Sequence, residues 1–369
     1  MTKKLFAVCV VALIVSLAGS TLAHDDKTKT ETKPGEKLER SLAVDAQAIV
    51  TLCVASGTLT VRGWDKSEIR VRSLDATQID FRRIEKVKDT SRPATRIDVV
   101  VLNKSTGVNP KFDCQAIADV EMEVPAGATV QVQTRDGDII IAGVAGAYAG
   151  SQNGDISIER ATKLVEAGSV GGSIVLKNST GRVNLSSAGG GVEVANVRAA
   201  SEDDTFEVGT VSGDIQLDRV SNPKVTAKTV NGTVTMNGPL AKAGSYGFTN
   251  MTGDIVLAMP HDASFQLNAK VSDKHDIVSD FPLKFLSDAT PPPPPAYPKP
   301  KTPEAKGKTP ETKGKVSPAP KAGPVIAPIV IEKPMPTPYI LRRVTAVCGS
   351  GDATISVASF GGTVRLKKI

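Results

Sequence analysis

Apolar and polar residues alternate with a period of two along much of this chain. The runs "AIVTLCVASGTLTVRGWD" (from Ala48), "EIRVRS" (from Glu68), "RIDVVVL" (from Arg96) and "DVEMEVP" (from Asp119) are all of this kind. Such runs, broken by Gly, Pro, Asp and Ser, predict short β-strands with one face toward a core. Helical periodicity is nearly absent.

From Gly137 onward one phrase recurs: "RDGDIIIAGV" (from Arg135), "QNGDISIERA" (from Gln152), "VGGSIVLKNS" (from Val170), "VSGDIQLDRV" (from Val211), "VNGTVTMNGP" (from Val230) and "MTGDIVLAMP" (from Met251). Aligned on Gly137, Gly154, Gly172, Gly190, Gly213, Gly232 and Gly253, the steps are 17, 18, 18, 23, 19 and 21 residues. Degenerate copies follow, one with His275 in the glycine slot and one around Gly362. A repeat of about 20 residues means stacked units, none able to bury its apolar face alone.

Each unit has room for two or three short strands but not for a strand plus an ordinary helix. The segment is too leucine-poor for a leucine-rich repeat and too sparse in Gly-Asp for calcium-binding nonapeptides. The 23-residue step does not suit a regular 18-residue hexapeptide helix. The expected fold is all-β: a single-stranded, right-handed parallel β-solenoid with irregular coils, the handedness following the crossover rule. In "SGDIQL", Gly213 is expected to supply a positive φ and Asp214 to bond the local backbone. Ile215 and Leu217 then point inward and Gln216 outward. By the same register Ile139, Ile156, Ile174, Val192, Ile215, Val234 and Ile255 form one internal ladder. The turn slots beside them are Gly137-Asp138, Gly154-Asp155, Gly172, Gly213-Asp214, Gly232 and Gly253-Asp254.

Composition divides the rest of the chain. Residues 1–23 read as a secretory signal peptide, with Lys3 and Lys4, an apolar run from Leu5 to Leu17 and "STLA" before the cut. Residues 24–41 read as a flexible charged leader, 42–134 as an N-terminal β cap region and 135–290 as the repeats. Residues 291–338 hold 16 of the 24 prolines and eight Lys against three Glu, the composition of a disordered or polyproline insertion. Residues 339–369 return to the repeat pattern as a final coil. The net charge of +6 is therefore carried by the tail, while residues 24–290 are net negative. With aromatic residues at 4%, a nucleic-acid groove is excluded.

Export permits disulfides. Of Cys53, Cys114 and Cys348, the expected pair is Cys53 with Cys114, which flank the same β region. No C-x-x-C or zinc spacing occurs, and no metal or other cofactor is expected. A row of turn aspartates could attract a hard cation, but Ser173, Gly191 and Thr233 interrupt it. His24, His261 and His275 have no identifiable partners for acid–base work. Trp64 is expected to cover the first coil. "GKT" at Gly307 lacks the first glycine of a phosphate-binding loop.

Taken in order, "SGTLTVRGWD" (Ser56–Asp65), "VEMEVPAGATVQVQTRDGDIIIAGV" (Val120–Val144), the serial G-D-I phrases and the terminal "SFGGTVRLKK" resemble the bacterial putative-adhesin family, exported β-solenoid domains of unknown function. The resemblance implies an envelope or surface role, in the periplasm, at the cell surface or secreted. It supplies no catalytic residues. The expected function is a non-catalytic interaction module whose partner is a cell-wall polymer, a glycan or a surface protein. A carbohydrate-active enzyme on the same scaffold and a structural spacer are the alternatives.

Overall fold

The computed structural model describes residues 37–84, 92–103, 114–272, 274–289 and 341–369. The expected signal peptide, most of the leader and the proline-rich insertion lie outside the described residues. Among the described residues there are 26 strands and no helix. The β-region starts at Leu38, ahead of the expected boundary at Leu42.

The chain is a parallel β-solenoid with two strands per coil, one in each of two facing sheets. In one coil, Lys224–Asn231 lies in one sheet, the chain turns at Gly232, and Val234–Asn237 lies in the other. The next coil repeats this with Ser245–Thr252 and Ile255–Met259. Strands in both sheets alternate buried and exposed positions, so each coil sends two sets of β-branched and aromatic side chains into one shared core. Phe206, Tyr246, Phe248 and Phe265 are its largest fully buried members in the repeats.

The register of the G-D-I sheet places Ile139, Ile156, Ile174, Val192, Ile215, Val234 and Ile255 directly beside one another, coil after coil. Each is at most 2% exposed. The row continues to Leu59 at one end and to Val364 and Ile277 at the other.

Both ends of the stack depart from sequence order. Strand Ala353–Ser359 pairs with Ser245–Thr252 on one side and Phe265–Ser272 on the other. Strand Val364–Lys368 likewise lies between Ile255–Met259 and Ile277–Ser279. The coil that is final in sequence is thus inserted before the last coil of the stack. Leu341–Cys348 runs antiparallel along the outer side of Phe265–Ser272, so the chain wraps around that strand. The wrap is a turn with Gly349 at φ 66° and Gly351 at φ 77°. It is held by Ser264 Oγ, which accepts the N–H groups of Ser350 (3.0 Å), Gly351 (2.9 Å) and Asp352 (3.2 Å).

The N-terminal end mirrors this arrangement. The strand Leu38–Ser56 lies between Ala94–Leu102 and Thr129–Asp136, and Leu59–Trp64 lies between Val120–Pro125 and Ile139–Ala142. Antiparallel strands Glu68–Ser73 and Gln78–Arg83 complete that end. Cys53 and Cys114 are joined by a disulfide, their Cα atoms 4.9 Å apart, which ties the inserted coil to its outer neighbour. Cys348 is a buried free thiol.

Candidate functional site

The repeated phrase builds the corner between the two sheets. A Cβ added at Gly213 would overlap the carbonyl oxygen of Gly190, the same slot one coil earlier. The same overlap recurs at Gly137 against Gly57, Gly154 against Gly137, Gly172 against Gly154, Gly232 against Gly213 and Gly253 against Gly232. Gly213 does not have a positive φ, so the expected conformational reason for it is replaced by a steric one. The backbones of successive coils pass too close here for any side chain.

The aspartates also act between coils rather than within a turn. Asp214 Oδ1 accepts the N–H of Thr233 (2.7 Å), the residue in its own slot one coil on. Asp138 accepts from Asp155 (2.9 Å), Asp155 from Ser173 (2.7 Å) and Asp254 from Thr363 (2.8 Å) in the same way. These carboxylates are backbone acceptors, and among the described residues no group of three or more His, Cys, Asp or Glu is placed to hold a metal.

A third column escaped sequence reading. Three residues before the corner glycines sit Thr134, Ser151, Ser169, Ser187, Thr210 and Thr229, each at most 5% exposed. The hydroxyls of Ser151, Ser169, Ser187, Thr210 and Thr229 donate to the corner glycine carbonyl of the preceding coil at 2.9–3.2 Å. Those carbonyls are turned from the ladder, and the hydroxyl satisfies a group that burial would otherwise leave unpaired. The signal was the spacing [ST]-x-x-G, which resembles any polar turn.

Trp64 does not cover the end of the stack, because Val120–Pro125, Glu68–Ser73 and the first residues of Leu38–Ser56 lie beyond its strand, and its register partner is Pro125. Its indole N–H donates to Glu68 O (2.8 Å), and Lys66 Nζ (4.8 Å) and Arg70 Cζ (4.7 Å) each lie over its ring. A local hairpin therefore holds it. His275 is half-buried, and its backbone N–H donates to Ser272 O (3.1 Å).

The opposite corner, where the G-D-I strands end, is chemically richer. The slot after the fourth residue of each strand holds Gly143, Arg160, Asn178, Asn196, Arg219 and Gly238 in order. All six have positive φ, and the side-chain-bearing four lie between 51° and 56°, the left-handed helical region. Glycine and asparagine adopt it readily; arginine is held there at a cost of roughly 1–3 kcal/mol. Asn196 Nδ2 donates to Asn178 Oδ1 (3.0 Å), and Arg219 Nε donates to Asn196 Oδ1 (2.6 Å). Arg219 also pairs with Asp218 (2.5 Å), and Arg160 pairs with Glu159 (2.7 Å).

This hydrogen-bonded row forms one wall of an open groove of about 360 Å³. Arg198, Thr180 and Ser221 line it with Asn178, Asn196 and Arg219. Arg198 is exposed and has no ion-pair partner among the described residues. The groove thus presents the unpaired guanidinium of Arg198 beside that of Arg219, which Asp218 and Asn196 hold in place, with two amides and two hydroxyls on a rigid frame. Guanidinium forks match carboxylate or sulfate oxygens, while amides and hydroxyls match sugar hydroxyls. Nothing in the repeated G-D-I phrase had marked these residues.

A family model described as Toastrack DUF4097 matches residues 50–285. No curated protein matches the chain. Among solved structures, it is similar to a putative adhesin from Parabacteroides merdae at 9% identity, covering 61% of this chain and 90% of that one, with a TM-score of 0.35. A protein described as a putative lipid binding protein from Parabacteroides distasonis is 14% identical, covering 61% of this chain and 90% of that one, with a TM-score of 0.36. A putative cell adhesion protein from Clostridium sporogenes is 8% identical, covering 90% and 100% of the two chains, with a TM-score of 0.19.

Proposed function

We propose, on the premise that the chain belongs to the Toastrack DUF4097 family, that this solenoid is an exported, non-catalytic interaction module. Its recognition surface is the groove at the corner carrying Arg198 and Arg219, and its ligand class is an acidic glycan or comparable anionic envelope polymer. The observation that carries this reading is Arg219, which lines the groove and is held in left-handed backbone conformation in a slot where the adjoining coils use Asn196 and Gly238. A backbone cost retained at one exposed slot asks for a gain elsewhere, and such strain concentrates at functional positions. The disulfide between Cys53 and Cys114 supports an oxidising compartment. Engagement of Asp138, Asp155, Asp214 and Asp254 in coil-to-coil bonds leaves them poorly suited to acid–base chemistry.

The test is binding of the full chain to an array of acidic and neutral glycans, beside Arg198→Ala and Arg219→Asn. The Asn variant restores a residue suited to the slot, so its stability should hold or rise while binding to uronic-acid or sulfated glycans falls at least tenfold. Binding unchanged in both variants would remove the groove from consideration.

A further inference from the structure

The N-terminal end of the stack carries a second constellation, in positions the alternation rule would make apolar. Strand Gln78–Arg83 is paired along Ala94–Leu102, with Ile79 opposite Val101, Phe81 opposite Val99 and Arg83 opposite Ile97. Val101, Val99 and Ile97 are buried core residues, so Ile79, Phe81 and Arg83 share the core-facing side. In the facing sheet the first residues of Leu38–Ser56 pair with Glu68–Ser73, placing Leu38, Arg40 and Leu42 opposite Ser73, Val71 and Ile69. Those three partners are also buried. Arg40 therefore stands between two leucines on the inner face, as Arg83 follows two apolar residues on the other sheet.

The two strands border a cleft of about 470 Å³, lined by Arg40, Ser41, Leu42, Phe81, Arg82 and Arg83 together with Asp80. Leu42 and Phe81 are half-buried and pack against the main core, so the floor is apolar. Neither the Arg40 nor the Arg83 side chain has a hydrogen-bond or ion-pair partner among the described residues. The one lining carboxylate, Asp80, accepts from Gln78 Nε2 (2.6 Å). A cleft of this size is in the range of small-ligand sites.

We infer that this end cleft binds an anionic amphiphile: a phosphate or carboxylate headgroup between Arg40 and Arg83, and an alkyl chain over Leu42 and Phe81. Arg40, exposed, and Arg83, half-buried, bring two guanidinium groups with no side-chain partner to the cleft, where they match an anion, and the adjoining apolar floor matches an alkyl chain. Inward-pointing charges on end strands also discourage edge-to-edge association, and that is the competing explanation.

The deciding experiment is calorimetric titration of the full chain with monomeric dodecyl phosphate and with inorganic phosphate, plus co-sedimentation with phosphatidylglycerol vesicles. Dodecyl phosphate should bind at least tenfold more tightly than inorganic phosphate. Arg40→Gln and Arg83→Gln should each weaken it several-fold, and the pair at least tenfold, with no change from Arg198→Ala. The single variants keep the test valid if the pair does not fold. Vesicle binding lost in the same variants identifies a membrane lipid as the source; dodecyl phosphate binding without vesicle binding identifies a free amphiphile. Equal affinity for both phosphates, no binding, or binding indifferent to the two substitutions would overturn the proposal. Self-association of the double variant would then establish the edge-guard role. Because the groove with Arg198 and Arg219 is a separate site, failure here leaves the glycan reading standing and failure there leaves this one.

Discussion

Substituting Gly213 by Ala isolates the steric column from every other property of glycine. The Gly213 φ is not positive, so alanine meets no conformational penalty there. Its Cβ, however, would lie 2.7 Å from the Gly190 carbonyl carbon and 2.9 Å from the Gly191 nitrogen, and would overlap the Gly190 oxygen. Ordinary carbon contacts need about 3.5–4.0 Å, so relief requires the two coils to part by roughly 1 Å. They cannot part easily, since parallel ladders clamp the same coils in both sheets. Overpacking costs about 1–3 kcal/mol when side chains can yield. Here only backbone can yield, which puts the expected loss at the top of that range, about 3 kcal/mol. At roughly 2–4 °C per kcal/mol for a domain of this order of size, the melting midpoint should fall by about 6–12 °C.

The control is Gly247→Ala, within strand Ser245–Thr252, where the nearest atoms to a new Cβ are 3.9 Å away, at Thr226 Oγ1 and Val225 O. Alanine there should be neutral or stabilise by up to about 1 kcal/mol, the usual cost of glycine inside a strand. Both variants are read by thermal and urea denaturation followed by circular dichroism. A Gly213→Ala midpoint within 2 °C of the Gly247→Ala midpoint, on the scale just used, would refute the close-approach account.

Asp214→Ala removes the acceptor of the Thr233 N–H and should cost about 1–2 kcal/mol, whereas Asp214→Asn keeps an amide oxygen there and should cost less; urea midpoints of the two compared directly check this. Ile215→Asp buries an unpaired charge in the ladder and should abolish cooperative melting, while Gln216→Asp on the exposed side should leave it nearly unchanged. Burial raises the Tyr246 phenol above its ordinary value, against the opposing effect of the Ala241 N–H it accepts. A group whose folded pKa is raised contributes stability that is full below the unfolded value near 10 and lost as pH rises through the folded value. Denaturation midpoints measured from pH 8 to 11 should fall less steeply in Tyr246→Phe than in the parent. At pH 8 the variant should be weaker by about 1 kcal/mol.

What the sequence disclosed follows from periodicity. The ladder from Ile139 to Ile255 and the two-residue alternation could be read directly, because burial on one strand face forces them. The roles of Gly213 and Asp214 were misassigned for a physical reason: both residue types have familiar local uses in turns, whereas here their partners are one coil away. The inserted coils were hidden because similarity between repeats says which segments are alike, not which are neighbours. Ala353–Ser359 looks like a continuation, yet it pairs with Ser245–Thr252, about a hundred residues earlier. The arginine groove was hidden because Arg219 reads as an ordinary exposed charge until its φ value is known.

The same constraints explain why both candidate sites lie where they do. At the G-D-I corner, glycine is required because the coils approach there, aspartate ties them and a hydroxyl meets the buried carbonyl, so these slots have little freedom for recognition. At the other corner the slot demands only a left-handed conformation and projects its side chain outward. Gly143, Asn178 and Arg219 all fill it, so chemistry can change from coil to coil without disturbing the stack. The ends are free in a different sense. An inward slot in the middle of the solenoid is sealed between two coils and takes an apolar side chain or a neutral one with a hydrogen-bond partner, whereas Arg40 and Arg83 belong to strands that complete the stack. A charge in such a slot can reach solvent or an anion, so it avoids the desolvation that would exclude it from the middle. Side-chain variety is therefore easiest to accommodate at the corner row and at the ends, while the faces between them preserve the register.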